Sequence, residues 1–144
     1  MHGAFLLGAA GLLKGRRATT HWAYVDLLPL IGASHEKARI VRDGRVFTSG
    51  GVTSGIDFAL SIVAELAGSE VAQAIQLAIE YDPSPPFDAG HPDKASDTAR
   101  ALMVHRNAMA YKGIQQGLEK LAILGRGSRT DARSIRGGSR LEGS

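Results

Sequence analysis

The fold is decided by residues 38–68, which read ARIVRDGRVFTSGGVTSGIDFALSIVAELAG. Two β-rich runs, 38–42 and 45–48, are separated by Asp43-Gly44, a dipeptide that strongly favours a tight turn between antiparallel strands. A Gly-rich loop, 49–51, follows the second run. The stretch therefore predicts a β-hairpin that leads through a short loop into the next element.

That next element is predicted to be an amphipathic helix. Apolar residues recur at spacings of three and four between Ile56 and Ala67, and Gly68 marks the end of the pattern. Ser54 is the expected N-cap. Asp57, three residues further on, is interpreted as a partner of the helix N-terminus rather than as an acid catalyst.

Further helices and one short strand are predicted on either side of the hairpin. The helices cover 3–13, 23–28, 70–81 and 96–124, and the strand covers 17–20. This order is typical of an α/β sandwich, in which helices pack on the faces of a sheet. Because only three short strands are visible, the sheet is expected to lack partners on one side, and the sandwich is interpreted as incomplete on its amino-terminal side.

Composition excludes several classes of function. The 144 residues contain no cysteine, which excludes disulfides, thiolate metal sites and a cysteine nucleophile within this chain. The five histidines show no metal-ligand spacing, so neither a metal site nor a cofactor is predicted. The longest apolar run, 4–13, is shorter than the roughly 18 residues of a membrane span and precedes its basic residues, so a cytoplasmic protein without membrane association is expected.

The net charge of +3 lies in residues 125–144, where five arginines accompany only Asp131 and Glu142. Acidic and basic residues balance in the rest of the chain, so no basic face and no nucleic-acid partner is predicted. Residues 125–144 are also rich in Gly and Ser and poor in apolar residues. They are therefore expected to form a disordered basic tail.

Three segments carry a resemblance to a known family. They read GAFLLGAAGLLKGRRATTHWAYVDLLPLIGA at 3–33, ARIVRDGRVFTSGGVTSGIDFALSIVAELAG at 38–68 and SEVAQAIQLAIEYDPSPPF at 69–87. Together they resemble the second half of isonitrile hydratases, which are ThiJ/PfpI proteins related to class I glutamine amidotransferases. The resemblance covers about residues 1–90, which leaves 91–124 as an accessory helical segment before the tail.

This resemblance implies a flavodoxin-like, class I glutamine amidotransferase-like three-layer α/β sandwich, usually homodimeric. It also implies a lyase reaction in which a cysteine thiolate, stabilised at a helix N-terminus, attacks the terminal carbon of an isonitrile. Protonation and addition of water then give an N-substituted formamide, assisted by a carboxylate from the first half of the domain. The implied partner is therefore a small-molecule isonitrile.

At the turn where the family carries Cys-Thr-Gly-Ala or Cys-His-Gly, this chain reads Met1-His2-Gly3-Ala4. Met1 takes the nucleophile's position, and its thioether cannot form a thiolate. The chain is therefore interpreted as a truncated, inactive hydratase-like domain that is a homo-oligomer or depends on a partner supplying the first half. The substrate-pocket residues that the resemblance implies are Gly3, Thr20, His21, Trp22 and Thr53.

Other interpretations of these residues remain open. His2 could be a solvated terminal residue, and His21 could be a hydrogen-bonded residue at the end of a core strand. The loop 49–55 could be taken for a phosphate site, but it lacks the P-loop pattern and a nearby lysine. The alternative function is a non-catalytic interaction or regulatory module of the same superfamily.

Overall fold

The computed structural model describes residues 2–136, with side chains described up to residue 123. In chain order the elements are α1 (Gly3–Ala9), β1 (Arg17–Ala18), a 3-10 helix (Trp22–Ile31), β2 (Ser34–His35), β3 (Ile40–Asp43), β4 (Val46–Ser49), α2 (Ser54–Ala67), α3 (Ser69–Ala78) and α4 (Asp97–Arg136). The predicted order of helix, strand, helix, hairpin and helices is present, with one short strand, β2, that was not predicted, so the structure has four strands rather than the expected three.

The hairpin forms where the sequence predicts it. Strands β3 and β4 pair antiparallel from Ile40 with Ser49 to Asp43 with Val46, so the turn consists of Gly44 and Arg45. Gly44 has φ +63°, a left-handed conformation that glycine adopts without a steric cost. The turn therefore lies one residue later than the predicted Asp43-Gly44 pair.

A second small sheet lies beside the hairpin. Strands β1 and β2 pair in parallel, with Arg17 opposite Ser34. On the other edge of β1 the backbone N–H groups meet side chains of the hairpin. Arg17 N donates to Asp43 Oδ2 at 2.8 Å, and Thr19 N donates to Thr48 Oγ1 at 2.9 Å. The described residues thus form two two-stranded sheets joined by side chains.

The core is built around the 3-10 helix. Its Leu27 and Leu28 are at most 1% exposed, and α1 packs against it where Gly8 faces Ile31. The buried cluster consists of Ala4, Phe5, Leu13, Ala18, Tyr24, Leu27, Leu28, Ala33 and Leu118. The predicted apolar faces of α2 and α3 are only partly covered, since Ile56 and Val71 remain 41% and 45% exposed.

Several helix boundaries differ from the predictions. Helix α1 ends at Ala9 rather than Leu13, because the chain turns at Gly11 (φ +78°) and directs Leu13 into the core. The 3-10 helix extends beyond the predicted range 23–28 to Ile31. It ends at Gly32, which together with Pro29 was one of the two residues predicted to end it.

The C-terminal helix is also longer than predicted. Helix α4 continues to Arg136, so residues 125–136, expected to be disordered, are helical. Each residue added to an established helix forms one hydrogen bond. This gain offsets part of the conformational entropy that ordering the residue costs, which composition alone does not take into account. Residues 137–144 of the predicted tail lie outside the described residues.

Candidate functional site

The chain leaves β1 through two buried threonines and enters the 3-10 helix at His21. Thr19 and Thr20 are 2% and 3% exposed. His21 caps the helix, because its Nδ1 accepts a hydrogen bond of 3.2 Å from the backbone N–H of Ala23. In the neutral ring the proton is therefore on Nε2. The fold thus fixes both the position and the tautomer of this histidine.

His21 belongs to a cluster of rings that we call the histidine–tyrosine cluster, comprising His2, His21, Tyr24 and Tyr111. The Tyr24 ring lies 5.1 Å from the His2 ring and 5.6 Å from the His21 ring, between ring centroids. Tyr111 of α4 stacks on Tyr24 at 6.4 Å. Partial burial, with the nearby His2 as a further cause, lowers the pKa of His21 below its ordinary value. The imidazole of His21 is therefore neutral at pH 7.

A cleft of about 640 Å³ lies next to this cluster. Thr19, Thr20 and Trp22 line one wall. The remaining lining comes from Val25, from residues within 35–39, from the glycine loop 50–51 and from residues within the segment 88–94 between α3 and α4. The cleft therefore combines an indole ring and threonine side chains with charged groups from the surrounding loops.

The glycine loop approaches His21 and Thr20 closely. A Cβ on Gly51 would lie 3.3 Å from Cδ2 of His21, and a Cβ on Gly50 would lie 3.8 Å from the carbonyl oxygen of Thr20. Even a single Cβ at position 51 would require the imidazole to shift slightly, so glycine allows this close approach. His21 therefore lies against the glycine loop of the cleft.

The residues predicted to line a pocket do not all meet in the cleft. Thr20 and Trp22 line it, and His21 contacts its glycine loop from the other side. Gly3 is exposed at the start of α1, on the side where His2 contacts Tyr24. Met1, predicted at the nucleophile position, lies outside the described residues. The functional roles of all these residues stay predictions.

Thr53 is exposed at the N-cap position of α2, where Ser54 was expected. Its Oγ1 accepts a hydrogen bond of 3.4 Å from Arg39, which does line the cleft. Ser54 is instead fully buried and donates from Oγ to the carbonyl oxygen of Gly51 at 2.5 Å. Its hydroxyl therefore holds the glycine loop in place.

Asp57 has partners that the sequence did not suggest. It forms an ion pair with Arg39 and accepts a hydrogen bond of 2.8 Å from the Tyr81 hydroxyl. Partial burial acts to raise the pKa of Asp57, but the hydrogen bonds from Arg39 and Tyr81 outweigh it, and the pKa lies below its ordinary value. In the sequence, only its position in the first turn of α2 suggested a role for Asp57. That position does not indicate that Arg39 and Tyr81 are its partners.

Within the part of the chain that the structure describes, no group of three or more His, Cys, Asp or Glu side chains is arranged to hold a metal ion. None of the described helices is both long and apolar enough to cross a bilayer.

Comparisons with known proteins show what this chain is similar to. Residues 1–65 match the model of the DJ-1/PfpI family. The chain is 62% identical over 93 residues to the isonitrile hydratase of Pseudomonas putida, a match that covers 65% of this chain and 41% of that protein. It is also 39% identical over 74 residues to the HTH-type transcriptional regulator CdhR of Pseudomonas aeruginosa, covering 49% of this chain and 21% of the regulator.

A crystal structure of a ThiJ/PfpI family protein from Pseudomonas syringae superposes with a TM-score of 0.77 at 45% identity, covering 84% of this chain and 48% of that one. The resemblance to isonitrile hydratases and the flavodoxin-like α/β fold are thereby confirmed. The chain spans less than half the length of these relatives.

Proposed function

We propose that this chain forms part of a pocket of the isonitrile hydratase type, which binds a small molecule with a terminal isonitrile. The observation that carries the proposal is the 62% identity to the isonitrile hydratase of Pseudomonas putida, which extends over 93 residues. The position of Thr20 and Trp22 in the wall of a cleft supports it. An indole and buried threonine hydroxyls suit a ligand that has an apolar substituent and a small dipolar end.

This 144-residue chain is proposed to bind the isonitrile without converting it to the formamide. Attack on the isonitrile carbon requires a thiolate, and none of the 144 residues is a cysteine. Neutral His21 cannot replace the thiolate as a nucleophile here, since its Nδ1 lone pair is engaged by Ala23 N–H and its Nε2 carries the proton. The residues present would hold and orient a ligand.

A second candidate is a non-catalytic module that acts through self-association or through a regulatory partner. The observation that favours it is the 38–39% identity, over segments of 74 and 77 residues, to the transcriptional regulators CdhR of Pseudomonas aeruginosa and GlxA of Rhizobium meliloti. The partly uncovered apolar faces of α2 and α3 also suit an oligomer.

The test combines binding with product analysis. Cyclohexyl isonitrile is titrated into the chain while the fluorescence of Trp22, the single tryptophan, is recorded. We expect saturable binding, weakened in Thr20→Val, which keeps the shape but removes the hydroxyl. Thr98→Val, which makes the same substitution at an exposed residue of α4 that does not line the cleft, serves as the matched control. Absence of saturable binding would contradict the proposal and favour the second candidate.

Product formation is followed in the same samples by gas chromatography. We expect no N-cyclohexylformamide above the buffer rate from the parent chain. Formamide made by the cysteine-free chain, free of contaminating enzyme, would show that the requirement for a thiolate is wrong.

A further inference from the structure

One wall of the cleft is supplied by residues 88–94, which we call the strap. The strap lies in the connection between α3 and α4, after the proline-rich run at 83–86. Its shape is set locally: Lys94 N donates to the carbonyl oxygen of His91 at 3.0 Å, and Lys94 Nζ donates to Asp88 Oδ1 at 2.7 Å. These short-range contacts make the strap a compact turn that can move as one piece.

An ion pair joins the strap to another part of the cleft lining. Asp93 of the strap accepts a hydrogen bond from Lys37 Nζ, which is 56 residues away in sequence. Both residues line the cleft, so the pair connects two parts of its lining. The hydrogen bond from Lys37 is the main cause that holds the pKa of Asp93 below its ordinary value, so this carboxylate is charged at neutral pH.

The pair is well placed to hold the cleft closed, yet weak enough to open. The side chains of Lys37 and Asp93 are 68% and 57% exposed, and exposed ion pairs contribute little in water and are screened by salt. The hydrogen bonds from Lys94 to His91 and Asp88 involve neither Lys37 nor Asp93, so they remain when the pair breaks. Within the strap, Asp93 Oδ2 also lies 3.4 Å from His91 Nδ1.

From these contacts we propose that residues 88–94 are a strap that closes the cleft over Trp22, held by the Lys37–Asp93 ion pair, and that release of this pair admits a ligand. The proposal concerns access to the cleft and does not depend on which small molecule binds there. It remains testable if isonitrile binding is absent.

Trp22 is a direct reporter, because it lines the cleft and the chain has one tryptophan. The test measures quenching of its fluorescence by acrylamide. Acrylamide is small and uncharged, so the rate at which it collides with an exposed indole does not depend on salt. Losing an exposed ion pair shifts an equilibrium by up to about fivefold. We therefore expect the quenching constant to rise in Asp93→Asn at low salt, and to rise in the parent chain as salt is added.

Three comparisons make the result specific. Glu65→Gln breaks the exposed Arg42–Glu65 pair, whose residues do not line the cleft, and should leave quenching unchanged. The exchanged pair Lys37→Asp with Asp93→Lys should restore low quenching. Salt should have little further effect in Asp93→Asn, which has already lost the pair.

The quenching constants of the variants can support or overturn the proposal. Equal quenching in the parent and in Asp93→Asn, or an equal rise in Glu65→Gln, would overturn it. If the variants fail to fold by circular dichroism, the salt titration of the parent chain decides alone, and quenching that is independent of salt would overturn the proposal.

Discussion

The contact between α1 and the 3-10 helix leads to a sharp prediction for Gly8→Ala. A Cβ on Gly8 would lie 2.6 Å from Cβ and 2.9 Å from Cγ1 of Ile31. Cβ of Ile31 is fixed by its own backbone, so a change of rotamer cannot move it away. The two helices must separate instead, and α1 begins directly after His2, whose ring contacts Tyr24.

The expected cost follows from two opposing effects. Alanine is favoured over glycine inside a helix by up to about 1 kcal/mol, and by less at Gly8, the next-to-last residue of α1. Overfilling a packed contact costs about 1–3 kcal/mol. We therefore expect Gly8→Ala to lower the free energy of unfolding by about 1–2 kcal/mol, a factor of roughly 5–30 in the ratio of folded to unfolded chain.

Urea denaturation followed by circular dichroism measures this change. Gly55→Ala in α2 is the matched control, because a Cβ there meets nothing within 4 Å and should not destabilise the chain. In an Ile31→Gly background, which removes Cβ of residue 31, the extra methyl at Gly8 should be tolerated, so the two substitutions should be coupled. A Gly8→Ala chain as stable as the parent, or a cost unchanged by Ile31→Gly, would refute the reasoning.

Three further predictions concern stability. The folded pKa of His21 is lowered from 6.5, so the free energy of unfolding should fall as the pH drops from the unfolded pKa toward the folded one. In thermal melts between pH 7 and 5, His21→Asn, which keeps a capping acceptor, should show a weaker fall than the parent chain. A pH profile identical to that of the parent would contradict this. In urea denaturation, Leu28→Ala should lower the free energy of unfolding by about 2–5 kcal/mol, because Leu28 is fully buried. Leu66→Ala, at an 82% exposed site, should change it by no more than about 0.5 kcal/mol. Similar costs for the two variants would refute the assignment of Leu28 to the core. The pKa of Asp57 is lowered in the fold, so the stability that its ion pair adds is present above the unfolded value of 3.8 and is lost as the pH falls through the folded one. Asp57→Asn should therefore destabilise by up to about 1 kcal/mol at pH 7 and by less in acid, and a cost independent of pH would count against this assignment.

Local signals in the sequence predicted the hairpin and α2 well. A two-residue turn with a left-handed glycine and a helical apolar period are both encoded within a few neighbouring residues. The end of α1 was predicted less well, because Gly8 and Gly11 are equally plausible inside or after a helix. Only the left-handed backbone at Gly11 decides between these possibilities.

Features that depend on distant residues were not predictable from pattern. The contact of Tyr24 with Tyr111 joins residues far apart in sequence, and so does the Lys37–Asp93 pair in the cleft lining. No periodicity or motif links such partners, since tertiary packing alone brings them together. The resemblance to a family supplied Thr20 and Trp22, but it gave no indication of the segment 88–94 beside them.

The side-chain acceptors beside β1 have a consequence for self-association. An exposed strand edge usually invites a strand from another molecule, and such pairing seeds aggregation. Here Asp43 Oδ2 and Thr48 Oγ1 already accept the N–H groups of Arg17 and Thr19. A strand from another molecule would first have to displace both oxygens. The hairpin therefore protects this edge from intermolecular pairing through side-chain acceptors, although neither of its strands pairs with β1.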